Sequence, residues 1–189
     1  MTTTVDPPAD PGTTPAAAPT PATPAATAAP VVLRDRTTVT VRPMHDDDGG
    51  RLVAFHAHLS TESQRLRFFT AHPRLSDEEV DRFTHVDGHA RVALVAERDG
   101  EIVAVGRYDR LDGGEAAEVA FVVRDDLQGR GLCGVLLDRL ADLARAEGIV
   151  RLVADTLPEN TRMIHAFRRA GPDVSIHMVD GVVEVVVPL

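Results

Sequence analysis

The segment Gln128-Gly129-Arg130-Gly131-Leu132-Cys133-Gly134 joins an apolar run, Glu115 to Val123, to a stretch with helical periodicity. In that stretch Val135, Leu136, Leu140, Leu143 and Ala144 share one face, and the pattern stops at Gly148. A strand, a glycine loop and a long helix in this order aim backbone N–H groups and a helix dipole at an anion, for which phosphate is the natural ligand. Downstream, Arg151 to Asp155 reads as a short strand and Pro158 opens a helix carrying Met163, Ile164 and Phe167. Val174 to Val179 and Val182 to Val187 form a hairpin through Asp180-Gly181. Upstream, Asp99-Gly100 joins the strands Arg91 to Glu97 and Glu101 to Arg110, and the Asp112-Gly113-Gly114 turn leads into the Glu115 strand. Before these come a strand around Val39 and Val41 closed by Pro43, then three helices. Asp46, Asp47 and Asp48 supply N-cap residues for the first, Ser60 and Ser63 begin the second, and the Ser76/Glu79 capping box opens the third. The order β-α-α-α-β-β-β-α-β-α-β-β predicts a mixed α/β (α+β) domain whose sheet is mostly antiparallel, with about seven strands and about five helices.

Composition narrows the chemistry. The chain has 189 residues, and eight of its thirteen prolines fall in the first thirty. Residues 1–33 are read as a disordered Pro/Ala/Thr-rich tail and 34–189 as one folded domain. All 20 basic residues counted as Lys or Arg are arginine, which removes a P-loop lysine and a lysine Schiff base. It also leaves no side-chain lysine to acylate within the chain itself. The single Cys133 excludes CxxC redox and zinc sites and fits a reducing, cytoplasmic compartment. With 29 acids and a net charge of −9, without an arginine-rich run, nucleic acid is not an expected partner. Cationic partners such as amines are favoured by the long-range field. No apolar run reaches the length of a membrane span. His56 and His58 fall on different helix faces, and His85 and His89 have no third ligand at metal spacing, so no metal site is expected.

Two readings of the glycine loop compete. Gly129, Gly131 and Gly134 spell GxGxxG, and Asp155 sits about where a ribose-binding acid would stand in a dinucleotide fold. Against this, the loop starts several residues after Val123, whereas the dinucleotide fingerprint begins as its strand ends, and antiparallel hairpins flank it on both sides. The other reading is a coenzyme A pyrophosphate site. Gln128, Gly131 and Cys133 resemble the Q/R-x-x-G-x-G/A motif of the GNAT superfamily of N-acetyltransferases, with Cys133 where Gly or Ala is usual. Residues 37–189 also resemble that superfamily in element order. Within it, Leu59 to Phe69, Ala93 to Ala96 and Ala117 to Phe121 resemble bacterial protein lysine acetyltransferases that modify acyl-CoA synthetases.

The resemblance implies a GNAT-like sheet with splayed central strands and acetyl-CoA as cosubstrate. It places a general base at Glu118 and cofactor contacts at Phe121, Val122, Val123, Gln128, Gly129, Arg130, Gly131, Leu132, Cys133, Gly134, Asn160 and Phe167. Phe167 occupies the place where many relatives carry a tyrosine that protonates the leaving thiolate, and the only tyrosine, Tyr108, lies on another strand. No phenolic acid is therefore expected. The implied acceptor is a protein lysine, with acyl-CoA synthetases as partners; a small amine acceptor and a non-catalytic acyl-CoA sensor are the alternatives.

Residue chemistry bears on Glu118 independently. Lysine, with a pKa near 10.4, is about one part in a few thousand neutral at pH 7, so acyl transfer to it needs a base. Glu118 lies in an apolar strand on the face of Ala116, Ala120 and Val122, where desolvation is expected to raise its pKa. The competing reading is a strand carboxylate paired with an arginine. Cys133 near a helix N-terminus raises a second possibility, a ping-pong acyl-cysteine, which is disfavoured because that motif position faces phosphate.

Overall fold

The computed structural model describes residues 27–112 and 114–189. Eight strands form one sheet: β1 (Ala29–Val32), β2 (Thr38–Pro43), β3 (Arg91–Arg98), β4 (Glu101–Arg110), β5 (Ala116–Val123), β6 (Arg151–Thr156), β7 (Ser175–Val179) and β8 (Val182–Pro188), in the spatial order β1-β2-β3-β4-β5-β6-β8-β7. Five helices flank it: α1 (Gly49–Ala57), α2 (Thr61–Phe68), α3 (Asp77–Thr84), α4 (Leu132–Ala146) and α5 (Thr161–Arg168). Every neighbouring pair is antiparallel except β5 and β6. A parallel pair needs a crossover, and α4 provides it.

Two apolar layers hold the helices. On one face Leu132, Leu136, Leu140 and Ala144 of α4, with Ile164 and Phe167 of α5, bury against Leu94, Val103, Val119 and Phe121. On the other, Leu52 and Phe55 of α1, with Leu59, pack on Ala93, Val95, Ile102 and Val105. Gly106 makes the first layer possible. A Cβ there would lie 2.9 Å from the Phe121 ring and 3.2 Å from Leu136 Cβ, so only glycine lets that ring lie between β4 and α4.

Local signals behave as their chemistry demands. Asp99-Gly100 and Asp180-Gly181 have φ of 53° and 82°, and 48° and 86°, the paired positive values that a two-residue type I′ hairpin requires. The Ser76 hydroxyl accepts from Glu79 N–H at 3.2 Å and Glu79 accepts from Ser76 N–H at 2.8 Å, closing the capping box of α3. Beneath the start of α1, the fully buried Asp48 accepts two hydrogen bonds from Arg42, at 2.7 and 2.9 Å, and also pairs with Arg51. Glu97 binds both arginines at 2.7 Å.

Three expectations change. β1 lies inside the 1–33 segment assigned to the tail and pairs along Ala29–Val32 with Thr38–Val41, giving eight strands rather than about seven. An edge strand needs backbone partners on one side only and tolerates Pro30, so a composition poor in large apolar residues conceals it. The rest of that expectation, residues 1–26, lies outside the described residues. The helix expected from Pro158 instead begins at Thr161; its cap is Asn160, whose side-chain oxygen accepts from Met163 N–H at 3.2 Å.

Candidate active site

β5 and β6 pair over only three positions, Ala116 with Arg151, Ala117 with Leu152 and Glu118 with Val153. Beyond them β5 continues to Val123 bonded to β4, and β6 continues to Thr156 bonded to β8. The two strands therefore part at Glu118 and open a cleft through the middle of the sheet. The glycine loop lies just past the open end of β5.

That loop is a set of donors without acceptors. Among the described residues, the backbone N–H groups from Gly129 to Gly134 find no backbone or side-chain partner, and the first bond of α4 runs from Val135 N–H to Gly131 C=O at 3.2 Å. Gly129 and Gly131 have φ of 74° and 93°, which turns successive amides toward one side. No acidic residue occupies the first turn of α4. Six free amides at the start of a fifteen-residue helix suit a diphosphate, so the donor set fits the pyrophosphate of coenzyme A. Leu132 contributes its amide only, since its side chain is buried in the core.

Gln128 has a different part from the one its motif position suggests. Its side-chain N–H₂ donates to Ser63 Oγ at 2.9 Å and Val123 C=O at 3.0 Å, while its Oε1 accepts from Arg162 at 2.6 Å. It braces the loop against α2, β5 and α5. Asp125 extends the brace, accepting from Ser60 N–H at 3.0 Å, Ser60 Oγ at 2.7 Å and Ser63 Oγ at 2.8 Å. Desolvation pushes the Asp125 carboxyl up, but these hydrogen bonds outweigh it and hold it below its usual range. Nothing in the sequence near Asp125 pointed to this residue, whose partners lie more than sixty positions away.

Glu118 sits on the face opposite α4, with Ala120 and Val122, as strand alternation requires. It is exposed, so the desolvation expected from its apolar neighbours is absent. The α1–α3 layer covers Val105 and Val122 but does not reach position 118. Pairing with an arginine is absent too. Asp109, directly opposite across the β4–β5 ladder, occupies Arg107 through bonds of 3.0 and 3.1 Å, and no ion pair to Glu118 exists among the described residues. On the same sheet face as Glu118, reached through Ala120, is a small cleft walled by Leu52, Phe55, Leu59, Phe68, Phe83 and Val122. Arg67 and His56 also line it. Burial pushes the Arg67 guanidinium down to about 10, and it lies 5.0 Å over the Phe68 ring. Burial also lowers the His56 imidazole, whose Nε2 lies 2.7 Å from the His72 carbonyl.

The remaining predicted residues divide. Phe121 is buried on the α4 face with its ring 6.0 Å from that of Phe167, itself buried, so both side chains belong to the α4-side core and not to the cleft on the other face. Val122 and Val123 are partly exposed along the open edge of β5. Cys133 contacts Met163 at 3.6 Å, and burial pushes its thiol up to about 12, which leaves it protonated and unlike a low-pKa nucleophile. Tyr108 is fully buried in the α4-side core; its hydroxyl donates to the His89 carbonyl at 3.1 Å and burial raises its pKa. No cluster of three or more potential metal ligands occurs among the described residues, and no helix among them is long and apolar enough to cross a membrane.

A sheet split at a carboxylate, with a helix-capping loop of free amides at the split, defines an acyltransferase built for a coenzyme A thioester rather than a dinucleotide oxidoreductase. The sequence pattern of the acetyltransferase (GNAT) family matches residues 57–171. The chain belongs to that family and is an acetyl-CoA-dependent acetyltransferase. An acetyltransferase of Pseudomonas aeruginosa is 30% identical over 135 residues, covering 69% of this chain and 73% of that protein. The crystal structure of the GNAT domain of S. lividans PAT is 45% identical, superimposes with a TM-score of 0.81, and covers 86% of this chain and 97% of its own. A Salmonella typhimurium protein solved with its cofactor acetyl-CoA has the same fold at 21% identity, with a TM-score of 0.62 over 80% of this chain and 92% of its own.

Proposed function

We propose that the protein transfers the acetyl group to the side-chain amine of a protein lysine, on acyl-CoA synthetases, by direct attack on the thioester with Glu118 as general base. The observation that carries this reading is the position of Glu118: the last paired residue before β5 and β6 diverge, unpaired and on the face of the apolar cleft. An ammonium arriving through that cleft meets a carboxylate held in no ion pair among the described residues, though near enough for its charge to act on the Arg67 guanidinium. Glu118 takes the proton, directly or through a water, as the nitrogen attacks. The pyrophosphate lies on the amides of 129–134, and the open edge of β5 at Val122 and Val123 accompanies the pantetheine arm, where a backbone N–H can polarise the thioester carbonyl. The leaving thiolate takes its proton from solvent, since Tyr108 is buried on the opposite side of the sheet.

Three stretches that resemble protein lysine acetyltransferases support the acceptor class. Leu59, Arg67 and Phe68 from the first line the cleft, Ala93 and Val95 from the second form the core beneath it, and Ala120 from the third lines it, two residues along the same strand face from Glu118. Residues that meet around one cavity are those that read an acceptor. The second reading is a small amine acceptor, reached through the same mostly apolar cleft.

Purified acyl-CoA synthetases incubated with the protein and acetyl-CoA, and followed by intact mass, test the proposal. One added acetyl group on a synthetase lysine, lost with Glu118→Gln, is the expected result. Acetylation of polyamines or amino acids with every synthetase left unmodified would transfer the assignment to the second reading.

A further inference from the structure

The wall of the apolar cleft carries more positive charge than an apolar wall calls for. Arg67, from the last turn of α2, and Arg107, from β4, both line it. Arg107 lies 4.8 Å over the Phe83 ring, and Arg82 of α3 lies 5.2 Å from the same ring, so two guanidiniums meet at one aromatic side chain. The three arginines come from three different elements, in a chain whose net charge is −9.

Only one of the three is neutralised. Arg107 donates to both carboxylate oxygens of Asp109, at 3.0 and 3.1 Å. Among the described residues, neither Arg67 nor Arg82 has a carboxylate partner. Arg82 is exposed, and water satisfies it. Arg67 is partly buried; the charges of Arg107 and Arg82 oppose its own, and those of Glu118 and Asp109 favour it. Asp109 is committed to Arg107, and Glu118 is the carboxylate that an arriving amine needs. A desolvated guanidinium whose N–H donors find no acceptor is costly, and folded proteins ordinarily pair such groups. A lone ammonium entering this cleft meets that cation as an opposing charge. An ammonium with a carboxylate beside it supplies the anion that the wall lacks.

We propose that Arg67, backed by Arg82 and Arg107 around Phe83, is an anion site in the acceptor cleft, and that it reads an aspartate or glutamate side chain next to the target lysine. The inference rests on the lysine-acceptor reading and adds to it the charge of the acceptor segment. The lysine ammonium meets Glu118 while the neighbouring carboxylate meets Arg67. Two contacts of opposite sign fix the direction in which the segment crosses the cleft, and the planar guanidinium makes the second one bidentate.

Steady-state transfer to a matched pair of end-capped peptides tests this, one with lysine flanked on both sides by glutamate and the other with lysine flanked by glutamine. Flanking carboxylates raise the lysine pKa and lower its reactive neutral fraction, so reactivity alone favours the glutamine peptide. The wild type is nevertheless expected to show a kcat/KM about tenfold higher for the glutamate peptide, expressed in KM, as a charge-assisted contact implies. Arg67→Gln is expected to abolish the preference. Arg82→Gln, at an exposed position, is expected to reduce it about two- to threefold, as a screened charge does. The readout is a ratio between two peptides within one variant, so a loss of folded protein cancels. Equal wild-type kcat/KM for the two peptides, or a preference that survives Arg67→Gln, overturns the anion site while leaving lysine transfer standing. Transfer to a synthetase lysine with neither peptide modified overturns it as well. Acetylation of polyamines, with no lysine modified in peptide or synthetase, overturns the lysine-acceptor reading and this proposal with it.

Discussion

Replacing Gly131 with aspartate, and separately with alanine, isolates the electrostatic role of the glycine loop. At a φ of 93° any side chain carries backbone strain of about 1–2 kcal/mol, common to both variants. The new Cβ approaches Arg34 Nε at 3.3 Å, the end of a flexible exposed side chain that moves aside. The two variants then differ by a carboxylate at the first turn of α4. A unit charge about 5 Å from a phosphate repels it by about 3 kcal/mol at an effective dielectric of 20, and solvent exposure reduces this to roughly 1–2 kcal/mol. The carboxylate can also accept from the amides of α4, competing for the donors the diphosphate uses. Gly131→Asp should therefore bind acetyl-CoA about five- to thirtyfold more weakly than Gly131→Ala. Isothermal titration at low and high salt checks this, because screening must shrink the difference between the variants. Equal affinities for the Ala and Asp variants, unaffected by salt, would refute the placement of phosphate on this loop.

Three other outcomes are expected. Glu118→Gln, at an exposed position without partners, should fold normally and keep its coenzyme A affinity while the transfer rate falls on the order of 10²-fold; single-turnover acetylation measures this, and near-wild-type transfer would remove Glu118 from the mechanism. Asp48→Asn should cost about 3 kcal/mol in chemical denaturation by leaving buried Arg42 short of a counter-charge. Hydrogen bonds and charge from Arg42, with the His45 N–H, outweigh desolvation and lower the Asp48 carboxyl, and the Arg42 hydrogen bond lowers Glu97. Their stabilisation is complete above the unfolded carboxylate range and is lost as pH falls below about 4 through the lower folded values, so acid titration of wild-type stability should steepen there and that of Asp48→Asn less so. Tyr108→Phe should lose about 1 kcal/mol of stability with its bond to the His89 carbonyl, yet leave the pH profile of transfer unchanged; loss of the chemical step would reinstate a phenolic acid.

The glycine loop, the hairpins at Asp99 and Asp180, the capping box at Ser76 and the face of β5 carrying Glu118 were all legible from the sequence. Each depends on residues a few positions apart: a positive φ, a reciprocal cap, a period of two or of 3.6. Composition likewise removed lysine chemistry and paired thiols. Tertiary structure decided the rest. The β5–β6 split, the exposure of Glu118, Gln128 serving as a brace, and Arg67 and Arg107 lining one cleft with Phe83 are agreements between distant segments, and no local pattern encodes them. They arise when α4 carries the chain across to β6 and closes the sheet order, since only then do backbone pairing and burial determine which side chains face the cleft and which stay in water.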